Sequence, residues 1–501
     1  MNLFYRLCRF YGLVSFLWLF CLPQLATAAT SATKETIATL PSVVAQALAR
    51  AGVPRDAVSF EVRALANDAA PRLSHRAAIA MNPASVMKLV TTFSALDILG
   101  PDFTWKTGFY TDGTLSKGVL TGNLIIKGGG DPKWVLERIE ENFKTLQTLG
   151  VQRITGDIVL DNSVFDLPEK NSADFDGEPM RPYNSAPDGL LVNFKALILK
   201  FVPDPPTQTI RVVSEPPMAD VAIDTQVTAT TDGCGDWKSG LRADFANPKK
   251  VHFSGNYSVR CGENTWPVAY VEPATYAIRV VKAMHKASGG VLDGKVRYGM
   301  LPRTALLLWQ APSLPLSQII ADVNKFSNNV MAQQVFLTLS AQASPFNTSL
   351  NLPGKPRTGS FVRSRETVQH WWRERMGLRA KAPTLDNGSG LSRIERISTQ
   401  ALGELLRLAS RHPSADVFFN SLSVAGIDGT AANMVKRGVA VNAIGNAQLK
   451  TGTLRDVVAV AGYASGKSGQ RYSVVGIVNH PNAGAARPAL DAFVEWAVND
   501  E

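Results

Sequence analysis

The chain lacks the short signatures of several hydrolase classes. Its six histidines form no His-Glu-x-x-His, so nothing marks a zinc peptidase, and there is no Gly-x-Ser-x-Gly to mark a serine-hydrolase elbow. Gly128-Gly129-Gly130 is followed by no Gly-Lys-Ser/Thr, which makes it a turn closing a strand rather than a phosphate loop. Aromatic-basic repeats and a recognisable nucleic-acid module are also missing, so a formal charge of +10 does not argue for DNA or RNA. Repeats and low-complexity tracts of consequence are absent, and beyond the N-terminus no uninterrupted apolar run can span a bilayer.

Cysteine is scarce: of four, Cys8 and Cys21 lie in the N-terminal segment and only Cys234 and Cys261 remain beyond it. Arg6 and Arg9 precede an apolar run from Phe10 to Leu22 and the small-residue site Ala26-Thr27-Ala28. That order is a secretory signal cut after Ala28; a retained anchor is the alternative, for which the run is short. Residues before Cys21 are not those of a lipoprotein site. Loss of Arg6 and Arg9 takes the charge from +10 to +8, suited to an anionic surface such as a cell wall. An even pair of cysteines outside the cytoplasm predicts one structural disulfide, with two free thiols as the alternative.

The stretch "NPASVMKLVTTFSALDILGP" predicts a helix from Pro83 to Leu99, with Asn82 as N-cap, Pro83 at the first position and Gly100-Pro101 as the stop. Val86, Leu89, Val90, Phe93, Leu96 and Leu99 form a broad buried stripe. Ser85 and Lys88, at i and i+3, share a face of this core helix. A lysine taken out of water loses basicity and can act as a base near neutrality. The free amides of the first turn favour an anion developing at Ser85, the setting of an activated nucleophile. The same spacing recurs at Ser31 and Lys34, in a polar segment with no buried helix.

About 470 residues after processing exceed one ordinary core, so two or three domains are expected. Helix (Ser42–Ala51) and strand (Val58–Ala64, and around Ala77–Met81) patterns precede the Ser85 helix. Short strands dominate from Pro101 to Phe194 and again from Ala196 to Tyr276, where both cysteines lie. Helical patterns then alternate with loops, and the C-terminus reads as strand "LKTGTLRDVVAVAGYAS", strand "RYSVVGIVNH" and helix "PALDAFVEWAVND". The arrangement is α/β, with one domain split by a β-rich insertion.

Two further triplets complete a serine-lysine signature. Ser327-Asn328-Asn329 stands between two helices, unlike Ser254-Gly255-Asn256 and Ser349-Leu350-Asn351; Lys450-Thr451-Gly452 opens a strong strand, unlike Lys106-Thr107-Gly108. With them, "MNP" before the serine, "NPASVMKLVTT", "IKGGGDP", "PYNSAPDGLLVNF", "VNKFSNNVMAQQV", "LDNGSGLSR", "VAGIDGT" and "LKTGTL" follow one order. Over essentially the whole mature chain this resembles the D-alanyl-D-alanine carboxypeptidases/endopeptidases among the type-4, class C penicillin-binding proteins.

The resemblance implies a fold with a penicillin-binding-protein/serine β-lactamase-like transpeptidase domain. That domain is split between 29–100 and 305–501, after the 1–28 signal peptide. A β-rich inserted domain (101–195 and 277–304) carries a nested small β-rich subdomain (196–276). It implies Ser85 as acyl-enzyme nucleophile and Lys88 as its base, with Ser327 relaying a proton and Asn329 holding the substrate amide and Lys88. Lys450 supplies positive charge, Thr451 and Thr453 bind the substrate carboxylate, and Gly452 lets the strand approach the substrate. The amides of Ser85 and Thr453 form the oxyanion hole. Asp386, Ser389, Arg393 and Asp428 are cleft-wall groups or plain turn residues, and Asp176 or Glu178 lies where the family can carry an acidic residue sensing the stem-peptide diamino acid.

The implied partners are peptidoglycan peptides and β-lactams, with no cofactor, no metal, no nucleic acid and no stable membrane anchor; an oligomer is left open. The implied compartment is the periplasm. The alternatives are a serine β-lactamase, for which no class A loop glutamate is found and Ser327 replaces a class C tyrosine, and a non-catalytic cell-wall-binding protein, which would have no use for the whole polar set.

Overall fold

A computed structural model describes residues 39–66, 69–204, 206–342, 358–438 and 440–500. The signal peptide read at 1–28, the Ser31–Lys34 pair and Ser349-Leu350-Asn351 lie outside the described residues. No helix among the described residues is long and apolar enough to cross a membrane.

The central sheet is antiparallel and six-stranded. Its order is Leu73–His75, Val58–Ala64, Arg471–Asn479, Val457–Ser465, Ala447–Leu454 and Ser423–Val424. The Val58–Ala64 strand pairs with Arg471–Asn479 from Val58↔Val478 to Ala64↔Tyr472, so the two ends of the chain share one sheet. Both faces are covered, which is why Val457–Ser465 is apolar almost throughout. Ala459, Ala461, Val475 and Ile477 face a core built with the Ser85 helix; Val458, Val460, Val474 and Val478 face the helices Ser42–Arg50 and Arg487–Asn499.

The long strand pattern beginning at Leu449 is in fact a hairpin: Ala447–Leu454 and Val457–Ser465 pair down to Leu454↔Val457, around Arg455-Asp456. The helix predicted at Pro83 also starts differently. Ala84–Met87 is a 3-10 turn and the α-helix proper is Lys88–Leu99.

The sequence between carries a five-stranded sheet ordered Val296–Tyr298, Ile158–Asp161, Leu124–Lys127, Lys106–Thr111 and Leu306–Pro312. The last strand follows the expected boundary at 304/305 yet pairs with Lys106–Thr111. This region is less purely β than its short strands suggest, because Leu136–Thr148 and Pro273–Ala287 are helices whose Ile139, Phe143, Val280 and Val281 share one core. Residues 196–276 form a separate sheet around Leu199, Phe201, Ile210 and Tyr257, with Cys234 and Cys261 joined in a disulfide.

Candidate active site

Ser85 and Lys88 stand at i and i+3 across the junction of the 3-10 turn and the α-helix. At three residues per turn, side chains at i and i+3 eclipse, and the Lys88 Nζ lies 3.0 Å from the Ser85 Oγ. Asn82 shapes the entry: its Oδ1 accepts from the Ala84 amide at 2.9 Å and its Nδ2 donates to the Ser392 carbonyl at 3.0 Å. Its own amide donates to Asn479 Oδ1, which ties the turn to the sheet. Ala84 is held at φ +47°, a left-handed conformation costly for a residue with a Cβ, immediately before Ser85.

Lys88 is wholly buried and has three partners. Beside Ser85 it donates to Asn329 Oδ1 at 2.6 Å and to the Ser389 carbonyl at 2.5 Å. Burial first, then the charge of Lys450, holds the amine well below its ordinary pKa, with Glu395 pulling the other way. A neutral amine hydrogen-bonded to a serine hydroxyl can take its proton.

Ser327 caps the helix Leu316–Phe326 at φ +58°, another left-handed non-glycine position. That conformation turns the chain between two helices, and Asn329 opens the next, Asn329–Gln342. The Lys450 Nζ donates to Ser327 Oγ at 2.9 Å and to the Thr451 carbonyl at 2.6 Å. Lys450 is also fully buried, and desolvation lowers its pKa to about 7.

Ser85, Ser327, Thr451, Gly452 and Thr453 line one cavity of about 430 Å³, so the serines of both serine-lysine pairs face one cleft. Thr451 and Thr453 sit on the same side of their strand as Val460 and Val458, while Lys450 and Gly452 sit opposite, with Ala461 and Ala459. At Gly452 a Cβ would stand 2.7 Å from the Pro83 carbonyl oxygen and 3.1 Å from the Ser85 amide nitrogen. The missing side chain lets this strand press against the nucleophile turn. Gly390, at φ +80°, does the same from the other side, where a Cβ would meet Ala84 and Ser85 backbone.

The remaining sequence-derived residues divide by what they touch. Ser389 reaches Lys88 through its carbonyl, while its hydroxyl donates to Asn387 Oδ1 at 2.6 Å. Asp386 faces Arg365 at 4.0 Å. Arg393 pairs with Asp456 at 3.0 Å and stacks over Phe175, 4.6 Å from its centroid, so it joins the glycine loop, the hairpin and the inserted segment. Asp428 clips its loop by pairing with Lys325 and accepting from the Val424 amide at 2.7 Å. Asp176 accepts from Tyr183 Oη at 2.9 Å and Asn184 Nδ2 at 2.8 Å. Desolvation raises this carboxyl, but those hydrogen bonds outweigh it and hold it below the ordinary range. Glu178 lies exposed beside Arg181. The Tyr183 carbonyl accepts from Asn329 Nδ2 at 3.4 Å, carrying the inserted segment to the cleft.

Three participants escaped the sequence reading. Thr430 accepts from Thr451 Oγ1 at 2.7 Å; it ends the block "VAGIDGT", of which only Asp428 was given a role. Tyr183 acts through its carbonyl toward Asn329 and its hydroxyl toward Asp176, with only its place in "PYNSAPDGLLVNF" as a signal. Glu395 follows "LDNGSGLSR" by two residues, with no motif to single it out, and is fully buried.

Residues 40–500 match the profile of the D-Ala-D-Ala carboxypeptidase 3 (S13) family. The chain belongs to this family. Within the S13 family it is 24% identical over 412 residues to the D-alanyl-D-alanine carboxypeptidase DacB of Haemophilus influenzae, covering 81% of each chain. It is 26% identical over 423 residues to a D-alanyl-D-alanine carboxypeptidase of Actinomadura sp. (strain R39), covering 81% of this chain and 75% of the other. The fold is that of penicillin binding protein 4 (dacB) from H. influenzae, with a TM-score of 0.71 at 21% identity over 91% of this chain and 98% of that one. This S13 member is a serine-type carboxypeptidase with the β-lactamase-like fold.

Proposed function

We propose that the cleft cleaves the D-Ala-D-Ala amide of peptidoglycan stem peptides, and the corresponding amide of cross-links, through a Ser85 acyl-enzyme. The observation that carries this is the pair of buried lysines, each bonded to a serine, on one cavity. Ser85 Oγ attacks the scissile carbonyl as its proton passes to the neutral Lys88 amine. The oxyanion is met by the amides of Ser85 and Thr453, each such donor being worth about 3–4 kcal/mol in comparable sites. A proton passes by way of Ser327 to the leaving nitrogen, the C–N bond breaks, and D-alanine or the cross-linked amine departs. Water then attacks the ester, giving the free acid and regenerating Ser85.

Asn329 holds the substrate amide and Lys88 at once. Protonated Lys450, with the Thr451 and Thr453 hydroxyls, receives the terminal carboxylate. Asp176, fixed by Tyr183 and Asn184 beside the Arg393 loop, is the candidate for reading the diamino-acid side chain. The outer segments of the chain form the transpeptidase-like body and the inserted one supplies the wall around Tyr183. β-Lactams acylate Ser85 and leave slowly, and the protein works on the wall in the periplasm after removal of its signal peptide. The solved structure of the H. influenzae penicillin binding protein 4 with a β-lactam supports the binding of β-lactams.

The test is incubation of the purified protein with a stem pentapeptide and with a cross-linked muropeptide dimer. D-alanine release and dimer cleavage, both lost in Ser85→Ala, are expected. Turnover of neither by the wild type overturns the reading.

A further inference from the structure

Glu395 is a charged side chain buried completely, close to the cleft, that the steps above do not use. Its Oε1 accepts three consecutive backbone amides, Asp386 at 3.1 Å, Asn387 at 3.1 Å and Gly388 at 2.9 Å. Successive amides converging on one point make an anion-binding nest, and here the anion is supplied by the chain itself. The residue following the nest, Ser389, places its carbonyl 2.5 Å from the Lys88 Nζ. The Gly388 carbonyl accepts from Thr91 Oγ1, on the next turn of the Lys88 helix, at 2.6 Å.

We propose that Glu395 is a positioning residue for Lys88: by gathering the Asp386–Gly388 amides onto one oxygen it fixes the Ser389 carbonyl against the amine, and its negative charge stands behind that wall. This inference rests on Lys88 being the base of the acylation step.

The charged groups around the pair are few. Lys88 feels Lys450, which favours the neutral amine, and Glu395, which favours the ammonium. Glu395 is opposed by Asp386, itself facing Arg365 on the helix Phe361–Met376. Burial raises the Glu395 carboxyl, and the three amides pull it back. Its Oε2 is buried without a hydrogen-bond partner among the described residues, while Oε1 holds the nest.

Glutamine keeps the accepting oxygen and removes the charge. The rate constant for acylation by benzylpenicillin, followed against pH on the full chain, reports the protonation of the free enzyme's base. In Glu395→Gln the amine loses its opposite charge and gives up its proton more easily, so the acid limb moves to lower pH by roughly one unit or more. Glu395→Asp keeps the charge but falls a methylene short of the amides. It should leave the limb in place and lower the plateau at least roughly tenfold, the order of effect of a misplaced catalytic group.

An acid limb unmoved in Glu395→Gln overturns the electrostatic role, and a wild-type plateau in Glu395→Asp overturns the positioning. If Glu395→Gln does not fold, Glu395→Asp still decides: a moved limb with an unchanged plateau refutes the proposal. Failure of the underlying reading looks different. A wild type that is not acylated, or a Lys88→Ala variant that keeps the wild-type rate, removes Lys88 as the base whatever Glu395 does.

Discussion

Replacing Gly452 by alanine should slow acylation of Ser85 without touching a reacting group. The added Cβ would stand 2.7 Å from the Pro83 carbonyl oxygen, 3.1 Å from the Ser85 amide nitrogen and 3.2 Å from the Ala84 Cβ. Two of these are backbone atoms of the nucleophile turn, which cannot swing aside as a side-chain tip can. Restoring an ordinary contact of about 3.5 Å requires the turn and strand to part by roughly 0.8 Å. Overpacking of that kind costs about 1–3 kcal/mol of stability, and an error near 1 Å in a catalytic position costs about a hundredfold in rate. A 30- to 100-fold loss in the rate constant for a fluorescent penicillin is therefore the order expected, with a lowered melting temperature. Gly484→Ala is the control, because a Cβ there would meet nothing nearer than the Arg487 guanidinium at 3.7 Å. A Gly452→Ala rate within threefold of wild type would refute the argument that the strand's contact with the turn sets the geometry of Ser85.

Lys450, whose pKa burial lowers to about 7, is charged below that pH and neutral above it. KM for a D-Ala-D-Ala peptide should therefore rise as pH climbs from 6 to 8.5, and the rise should vanish in a substrate amidated at its C-terminus. The same depressed pKa makes the unfolded chain bind the extra proton between pH 7 and the ordinary lysine value of 10.5, so this group adds stability as pH rises through that window. A urea series on wild type and Lys450→Met across that window measures the difference. Replacing Cys234 and Cys261 together by serine opens a link spanning 27 residues, a loop-closure effect of about 3.5 kcal/mol. Limited proteolysis should then cut first within 196–276, with the acylation rate at Ser85 unchanged.

The Ser85 site was legible because its chemistry depends on spacing. Three residues separate Ser85 from Lys88 in an α-helix or a 3-10 turn alike, so the contact survives the error about which helix it is. The helices Leu316–Phe326 and Asn329–Gln342 that frame Ser327 agree with their patterns, the first through a one-sided apolar stripe and the second as a helix buried on every face. The hairpin at Arg455-Asp456 stayed hidden because neither residue is Gly or Asn, the usual marks of a two-residue turn. Val457–Ser465 is buried almost throughout, and nothing at Arg455-Asp456 marks it off from the Lys450 strand. Leu136–Thr148 was passed over amid short strands, although Ile139, Phe143 and Leu146 already carried a helical spacing. Gly452 was recognised as permitting a close approach, but only coordinates reveal that the approaching group is the nucleophile's own turn. Glu395 acts on backbone amides, and a partner without a side chain leaves no mark in a sequence.

The central claim is that Ser85 is the residue acylated, and intact-protein mass spectrometry tests it most directly. The mature chain and its Ser85→Ala variant are incubated with excess benzylpenicillin and weighed. The account predicts one persistent penicilloyl adduct on the wild type and none on the variant. An adduct on both proteins, penicillin consumed with no adduct retained, or no reaction at all would each contradict it.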